Sequence, residues 1–113
     1  MKKDVITIDE FVKVDIRVGL VTKAQAVPDS KKLIQLTVDM GEDYGIVTIL
    51  TGLLQYYPDP TVLTGKKYLI LANLAPRTMA NIPSQGMFMA IDSADKPMPV
   101  VVPDDTPLGT LLH

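Results

Sequence analysis

The stretch from Ala72 to Ile91 reads Ala-Asn-Leu-Ala-Pro-Arg-Thr-Met-Ala-Asn-Ile-Pro-Ser-Gln-Gly-Met-Phe-Met-Ala-Ile, and two strand-like ends enclose a loop rich in turn residues. Pro76 and Pro83 fix φ at two points and exclude a helix through the loop. Asn81 enters the left-handed region of backbone conformation at low cost. The stretch therefore predicts a stiff loop that presents Arg77 on a hydrophobic base. That loop is either a binding site or a structural corner with a solvated arginine.

Length and composition set the class of protein. The chain has 113 residues, which predicts one domain over residues 1–113, and a hydrophobic fraction of 47% argues against disorder. No run is long and apolar enough to cross a bilayer, and the N-terminal residues lack a signal-peptide core. The absence of cysteine excludes disulfide and thiolate chemistry and favours a reducing compartment. We therefore expect a cytoplasmic domain without a membrane partner.

The charge distribution is uneven along the chain. The formal net charge of −2 argues against strong non-specific binding to nucleic acid, which depends on clustered positive charge. From Thr61 to Ile91, however, the only charged residues are Lys66, Lys67 and Arg77. The acidic residues near the C-terminus lie after this segment. The sequence therefore places the organising stretch in a locally basic region.

Alternating apolar residues and turn signals predict several short strands and little helix. The clearest strand runs from Ile34 to Met40, where apolar and polar residues alternate. Gly19 inside the preceding strand suggests a bulge or a bend. Leu53–Tyr57 is predicted to form one helical turn before Pro58, and Asp59-Pro60-Thr61 is predicted to belong to a loop. The other predicted strands cover 16–27, 46–51, 66–73, 87–91 and 100–102. The pattern predicts a small all-β barrel or sandwich, and the position of the helical turn fits the five-stranded Greek-key barrel called the OB-fold.

Residues suited to catalysis are scarce. The only histidine is His113, the last residue, and without cysteine a zinc site is close to excluded. Asp104 and Asp105 are adjacent carboxylates in a proline-rich loop, too few groups for a hard-cation site. No glycine-rich phosphate loop is present. We therefore expect no metal, no cofactor and no enzymatic activity. The chain is also poor in aromatic residues, which favours binding of a folded RNA by shape and phosphate over stacking of single-stranded bases.

The organising stretch resembles a family signature in Ala72-Asn73-Leu74, Pro76-Arg77 and Ser84-Gln85-Gly86-Met87. This is the tRNA-binding OB-fold family, which includes free-standing tRNA-binding proteins, the C-terminal domain or β subunit of methionyl-tRNA synthetases, and a secretion-chaperone branch. The resemblance covers most of the chain, because further matches follow in order at 11–19, 32–33, 38–41, 51–53, 57–58 and 65–66.

The resemblance implies an all-β, five-stranded OB-fold barrel with a short helix between strands 3 and 4 and a C-terminal extension. It also implies a homodimer that binds tRNA structure-specifically near its elbow and catalyses nothing. In free-standing members the C-terminal extension helps to form the dimer, which fits the apolar tail from Val100 to Leu112. Two linked copies raise the effective affinity without new contacts.

The RNA-binding residues that the resemblance carries over are Lys32, Lys66, Asn73, Arg77, Ser84, Gln85 and Met87. Lys32 and Lys66 would contact phosphate, and Arg77 would supply a forked donor for phosphate. Asn73, Ser84 and Gln85 would supply hydrogen bonds, and Met87 an adaptable apolar contact. For Met87 and Asn73 the sequence leaves structural roles open, as a core residue and as a loop brace.

Departures from the family pattern leave two functions open. Relatives often carry basic residues where Ala80 and Pro83 stand, and fewer phosphate contacts lower both the affinity and its salt dependence. The leading prediction is a non-catalytic tRNA-binding module, with an aminoacyl-tRNA synthetase, in particular methionyl-tRNA synthetase, as a candidate partner. The alternative is a protein-binding or chaperone-like OB-fold dimer with weak or no RNA binding.

Overall fold

The computed structural model describes residues 1–113 and has a five-stranded antiparallel barrel at its centre. The barrel strands are adjacent in the order β3-β2-β1-β4-β7. This arrangement confirms the predicted all-β, OB-type barrel. The elements are α1 Ile8–Phe11, β1 Ile16–Ala26, β2 Ile34–Asp39, β3 Ile46–Thr51, a 3₁₀ helix Pro60–Leu63, β4 Lys67–Leu71, β5 Arg77–Met79, β6 Ile82–Ser84, β7 Met87–Phe88, β8 Ala90–Asp92, β9 Pro97–Pro99 and β10 Leu111–Leu112.

The long strand β1 is the central strand of the sheet and pairs with β2, β4 and β10. Its first half pairs with β4 and most of its length pairs with β2, with a register shift between Val21 and Lys23. Gly19 lies before that bulge and has a different role. A Cβ atom at Gly19 would lie 2.6 Å from Val38 Cγ1 and 2.7 Å from Met40 Sδ. This glycine therefore allows close packing inside the barrel, where the sequence had suggested a bulge or a bend.

The core lies inside the curled sheet and follows the predicted alternation. Ile34, Leu36 and Val38 on β2 are fully buried, whereas the polar residues between them are only partly buried. Full burial of one such side chain stabilises the fold by about 1.5–3 kcal/mol. Tyr68 packs edge-on against Phe88, with 4.8 Å between ring centroids, and its hydroxyl donates to the Leu63 carbonyl at 2.8 Å. Burial raises the pKa of Tyr68, which keeps this hydroxyl protonated.

The short helix between β3 and β4 is present, but it lies later than predicted. Leu53–Tyr57 forms only a hydrogen-bonded turn, in which the Tyr57 N–H donates to the Leu53 carbonyl at 3.0 Å. The 3₁₀ helix begins at Pro60, after Asp59, whose side chain accepts from the Thr61 N–H. Asp59 and Pro60 are an N-cap and a first helical residue, so the pair starts a helix where a loop had been predicted.

The organising stretch folds as a hairpin followed by two short strands. β5 and β6 pair with Arg77 opposite Ser84, and the two residues of the turn, Ala80 and Asn81, both have positive φ. Two positive φ values match the type I′ turn that joins tight hairpins. The strand predicted over 87–91 is instead divided into β7, which completes the barrel, and β8, which pairs with β9.

The C-terminal extension packs along the barrel. The Leu69 N–H donates to the Val100 carbonyl at 3.1 Å, and the Val102 N–H donates to the Lys67 carbonyl at 3.0 Å. The extension then reaches the start of β1, where β10 pairs with Ile16 and Arg17. The extension is therefore part of the fold.

Candidate nucleic-acid interface

The two edges of the barrel sheet are joined beside the hairpin by residues that the sequence had assigned to RNA. The buried Leu50 N–H donates to Ser84 Oγ at 2.9 Å, and the Gln85 N–H donates to the Thr48 carbonyl at 2.8 Å. Ser84 is only 4% exposed. Loss of its hydroxyl would leave the Leu50 N–H without an acceptor, which costs about 1–3 kcal/mol. Ser84 therefore holds the barrel closed at this point.

A cleft of about 740 Å³ opens between this closure and the hairpin. Most of its wall is apolar, and no aspartate or glutamate lines it. The lining residues come from the segment before β2, the end of β3 and the residue after it, the segment leading into β5, the strands β5 and β6, and β7 with the residue before it. They are Leu33, Leu50, Thr51, Gly52, Leu74, Ala75, Pro76, Arg77, Met79, Ser84, Gly86, Met87 and Phe88. Arg77 is the only charged residue among them.

Arg77 is exposed and has no partner in the protein. Its side chain makes no hydrogen bond and no ion pair. Its backbone is held by strand pairing across the tight hairpin and follows Pro76 directly. The forked guanidinium is therefore mounted on a stiff support with all its donors available, an arrangement suited to a phosphate.

Three other predicted residues lie at or beside the cleft. Met87 lines it and is 44% exposed, so it is available for contact. Gln85 lies between the lining residues Ser84 and Gly86, and its exposed side chain makes no hydrogen bond within the protein. Lys32 is exposed and directly precedes the lining residue Leu33. Met87 and Arg77 thus line the same cleft, whereas Lys32 and Gln85 are next to lining residues in the chain.

Asn73 and Lys66 lie elsewhere. The Asn73 side chain accepts from the Asp15 N–H at 2.9 Å and donates to the Lys13 carbonyl at 2.6 Å. It is therefore a brace that fastens the N-terminal segment to the end of β4, the structural role that the sequence had left open. Lys66 is exposed and lines a different groove, together with Tyr57 and Val62.

The locally basic region predicted from the sequence is not one surface in the fold. Lys67 donates to the Asp104 and Thr106 carbonyls at 2.6 and 2.7 Å, so it clamps the C-terminal extension. Lys66 and Arg77 lie beyond opposite ends of β4. A five-residue strand spans about 17 Å, so the strand separates cations that are neighbours in the sequence.

Sequence reasoning missed a second polar cluster, built around Arg17 on β1. Arg17 Nε donates to Asp15 Oδ1 at 2.7 Å, and Arg17 Nη1 donates to Asp43 Oδ2 at 2.7 Å and to the Gly109 carbonyl at 3.2 Å. Its guanidinium also lies 5.5 Å from the centre of the Tyr44 ring. The one local signal was the spacing of Asp15 and Arg17, which places both on one face of a strand.

Charge interactions in this cluster shift three pKa values. The hydrogen bond from Arg17 holds the pKa of Asp15 below its usual range, aided by a hydrogen bond from the Tyr44 hydroxyl and opposed by burial. The same contacts raise the pKa of Arg17 and of Tyr44. All three groups are therefore held in their ordinary charge states near neutral pH. The cluster links β1, the β2–β3 turn and the C-terminal extension.

The fold and the cleft together define a class: small OB-type domains with a cleft beside the barrel, here next to a hairpin that carries one arginine. The chain belongs to the family described as "Putative tRNA binding domain", whose sequence pattern matches residues 16–111. No helix in the structure has the length and apolar character needed to cross a membrane.

The chain is similar in sequence to one much longer protein and similar in structure to two solved proteins. The chain is 40% identical over 112 residues to a methionine–tRNA ligase of Methanococcoides burtonii, covering 98% of this chain and 16% of that protein. It therefore spans about a sixth of that relative. A crystal structure of a MetRS-related protein from Pyrococcus horikoshii superposes with a TM-score of 0.90 at 37% identity, covering 98% of this chain and 100% of that one. A CsaA chaperone structure from Picrophilus torridus shares the fold, with a TM-score of 0.85, 24% identity and coverage of 96% and 100%.

Proposed function

We propose that this domain binds folded tRNA by shape and phosphate contacts, without catalysing a reaction, through the surface around the Arg77 cleft. The observation that carries the proposal is the unpaired Arg77 guanidinium on a stiff hairpin, in a cleft free of acidic side chains. An arginine left without an internal partner is free to pair with an anion from outside. Membership of a tRNA-binding family makes the RNA phosphate the anion of choice.

Each residue at the cleft is proposed to make the contact with RNA for which its side chain is suited. Arg77 binds a phosphate as a fork, and Lys32 adds a point charge beside it. Gln85 donates to ribose or backbone oxygens, and Met87 packs against the ligand. Asn73 and Ser84 act as positioning residues, because their polar atoms are already bonded within the protein. Lys66, in its separate groove, makes at most a peripheral phosphate contact.

We also propose that two copies pair through the apolar face at the N- and C-termini. This face exposes Ile8, Val12, Leu111 and Leu112, and β10 pairs with β1 on one side only, so its other edge is free. An unpaired edge strand flanked by apolar side chains is suited to association with an identical strand. Leu111→Asp should convert a dimer to a monomer in light scattering. A wild-type protein that is monomeric at high micromolar concentration would exclude the dimer.

A methionyl-tRNA synthetase is the partner that we propose for this domain, and the cytoplasm its place of action. The support is the matching segment of a methionine–tRNA ligase. In such an arrangement the domain would hold tRNA for an enzyme that supplies the chemistry. Capture of the synthetase on the tagged domain, compared with and without nuclease, tests whether the two proteins associate directly or only through RNA.

A filter-binding titration with bulk tRNA at low salt tests the proposed function. Wild-type protein should bind tRNA at micromolar concentration and more tightly than a simple RNA duplex, because a folded shape is recognised. Arg77→Ala should weaken binding about tenfold, whereas Lys96→Ala should leave it unchanged. Lys96 is a matched control because it lies over the Tyr57 ring in the other groove. Absence of any tRNA-dependent signal would overturn the proposal.

The largely apolar wall of the cleft supports a second candidate, a protein-binding or chaperone-like function. An exposed apolar cleft is a common feature of polypeptide sites. Pull-down from a lysate treated with nuclease separates the two candidates. Partners that persist after RNA has been digested, together with failure to bind purified tRNA, would favour the second candidate.

A further inference from the structure

The further inference rests on the proposed function and concerns the glycine at the floor of the Arg77 cleft. Six of the seven glycines have an explanation inside the fold. Gly41, Gly45, Gly65, Gly86 and Gly109 have positive φ, and Gly19 has no room for a side chain. Gly52 has neither property: its φ is not in the left-handed region, and a Cβ atom there would meet nothing within 4 Å.

Gly52 therefore keeps space open in the cleft without serving the fold. A glycine in the middle of a chain has an entropic cost relative to alanine, and it is useful where a ligand approaches the backbone closely. Gly52 is exposed, lines the cleft, and donates no backbone hydrogen bond within the protein. Its N–H group is thus free to meet a ligand acceptor.

The volume and the lining residues of the cleft indicate what kind of ligand it binds. A volume of about 740 Å³ is far larger than a phosphate needs. Leu33, Leu50 and Phe88 provide an apolar floor, and the side chains of Leu74 and Met87, each 44% exposed, are available above it. The one charge is the cation of Arg77. A ligand that matches both parts has a flat apolar body joined to an anion.

We infer that the cleft takes one unpaired nucleotide of the bound RNA, with its base over the Gly52 backbone and its phosphate at Arg77. Every base has an apolar face and acceptors at its edge, which suit the apolar wall and the free Gly52 N–H. A polypeptide side chain would fill the apolar part and leave the Arg77 charge without a partner. Recognition then combines the folded shape of the RNA with capture of a single unstacked nucleotide.

A size series at Gly52 tests this inference. Gly52→Ala, Gly52→Val and Gly52→Leu should keep the melting temperature of the wild type within a few degrees, because the backbone is unstrained and the position is open. The affinity for bulk tRNA should fall in step with side-chain size, by at least tenfold for Gly52→Leu. Gln55→Leu is the matched control, since it adds the same side chain at an exposed position outside the cleft.

The outcomes separate the inference from the proposed function. If Arg77→Ala weakens tRNA binding and the folded Gly52→Leu protein binds as the wild type does, the inference is wrong and the proposed function stands. If the wild type binds no tRNA, the proposed function fails. The inference then fails with it, because no bound RNA supplies the nucleotide, and mononucleotides report only whether the cleft takes a nucleotide at all.

Nuclear magnetic resonance with mononucleotides supplies that second readout and needs no variant. The four nucleoside 5′-monophosphates should shift the Gly52 amide and Met87 methyl signals, for at least one base, well beyond the shift caused by ribose 5-phosphate. Equal shifts from ribose 5-phosphate would show that only the phosphate is bound, and would overturn the inference. If N-acetyl-leucine amide shifts the Gly52 signal and no monophosphate does, the cleft is a polypeptide site and the inference is likewise overturned.

Discussion

The two arginines of this chain lie in opposite situations. Arg17 is part-buried, with 20% of its side chain exposed, and makes ion pairs with Asp15 and Asp43. Arg77 is exposed beside an apolar cleft and pairs with nothing in the protein. One guanidinium is used to fasten distant parts of the chain, and the other is left free.

The difference shows how to separate structural charge from functional charge in a small domain. A cation that already has carboxylate partners gains little from an external anion, because its donors are occupied. A cation without partners on a stiff support meets an external anion at a low entropic cost. Arg17 and Arg77 have the same side chain, so their different roles come only from their surroundings. The comparison predicts separable effects on stability and on binding.

The largest expected effect is on stability. Arg17→Ala should lower the free energy of unfolding by about 2–3 kcal/mol, because it leaves the part-buried Asp15 carboxylate without its main partner. The exposed Asp43 partner contributes little to that figure. Arg77→Ala should change the free energy of unfolding by less than about 0.5 kcal/mol. Urea denaturation of both variants measures the contrast, and equal losses of stability would contradict it.

The loss of stability caused by a change at Asp15 should be smaller and should depend on pH. Asp15→Asn should reduce the free energy of unfolding at neutral pH by about 1–2 kcal/mol. Because the fold lowers the pKa of Asp15 from its ordinary value of 3.8, its contribution is fully present above that value. The contribution disappears as the pH falls through the lower folded-state pKa. Denaturation from pH 7 down to about pH 2 should therefore show the two proteins converging in acid. A difference in the free energy of unfolding between the wild type and Asp15→Asn that stays the same at every pH would contradict a contribution from the ionised Asp15 carboxylate.

The smallest effects distinguish the two predicted lysines. Lys32→Ala should weaken tRNA binding about threefold, because it removes one charge next to the cleft. Lys66→Ala should change the affinity less, since Lys66 lies in the groove beyond the other end of β4. Neither variant should alter the melting temperature. Filter binding with the same tRNA preparation measures both, and a larger loss for Lys66→Ala would move the interface to that groove.

The sequence predicted most of the barrel because its strands carry local signals. The alternation along β2 predicted which of its residues are buried, and Asn81 has the left-handed backbone conformation for which it is suited. The β5–β6 hairpin itself was not predicted, because the stretch was interpreted as a loop. The positive φ of Ala80 was not predictable, since alanine rarely adopts it and only the two-residue hairpin imposes it. The helix was placed too early because Asp59 and Pro60 were interpreted as a loop, although together they form a helix start.

The site was predictable only in part, because distance along the chain is a poor guide to distance in a barrel. Arg77 and Met87 were assigned to one surface, and the structure places both at one cleft. Ser84 and Asn73 looked available in the sequence, but their polar atoms bond to Leu50, Asp15 and Lys13 across the fold. Such long-range partners leave no local pattern.

The most direct measurement of the role of Arg77 is the salt dependence of tRNA binding by wild-type protein and by Arg77→Ala. The association constant should be measured between about 50 and 200 mM salt, where counterion release dominates the dependence. We predict that Arg77→Ala binds about tenfold more weakly at low salt, with a slope of log K against log salt that is shallower by about one. An affinity and a slope equal to those of the wild type would contradict a phosphate contact at Arg77.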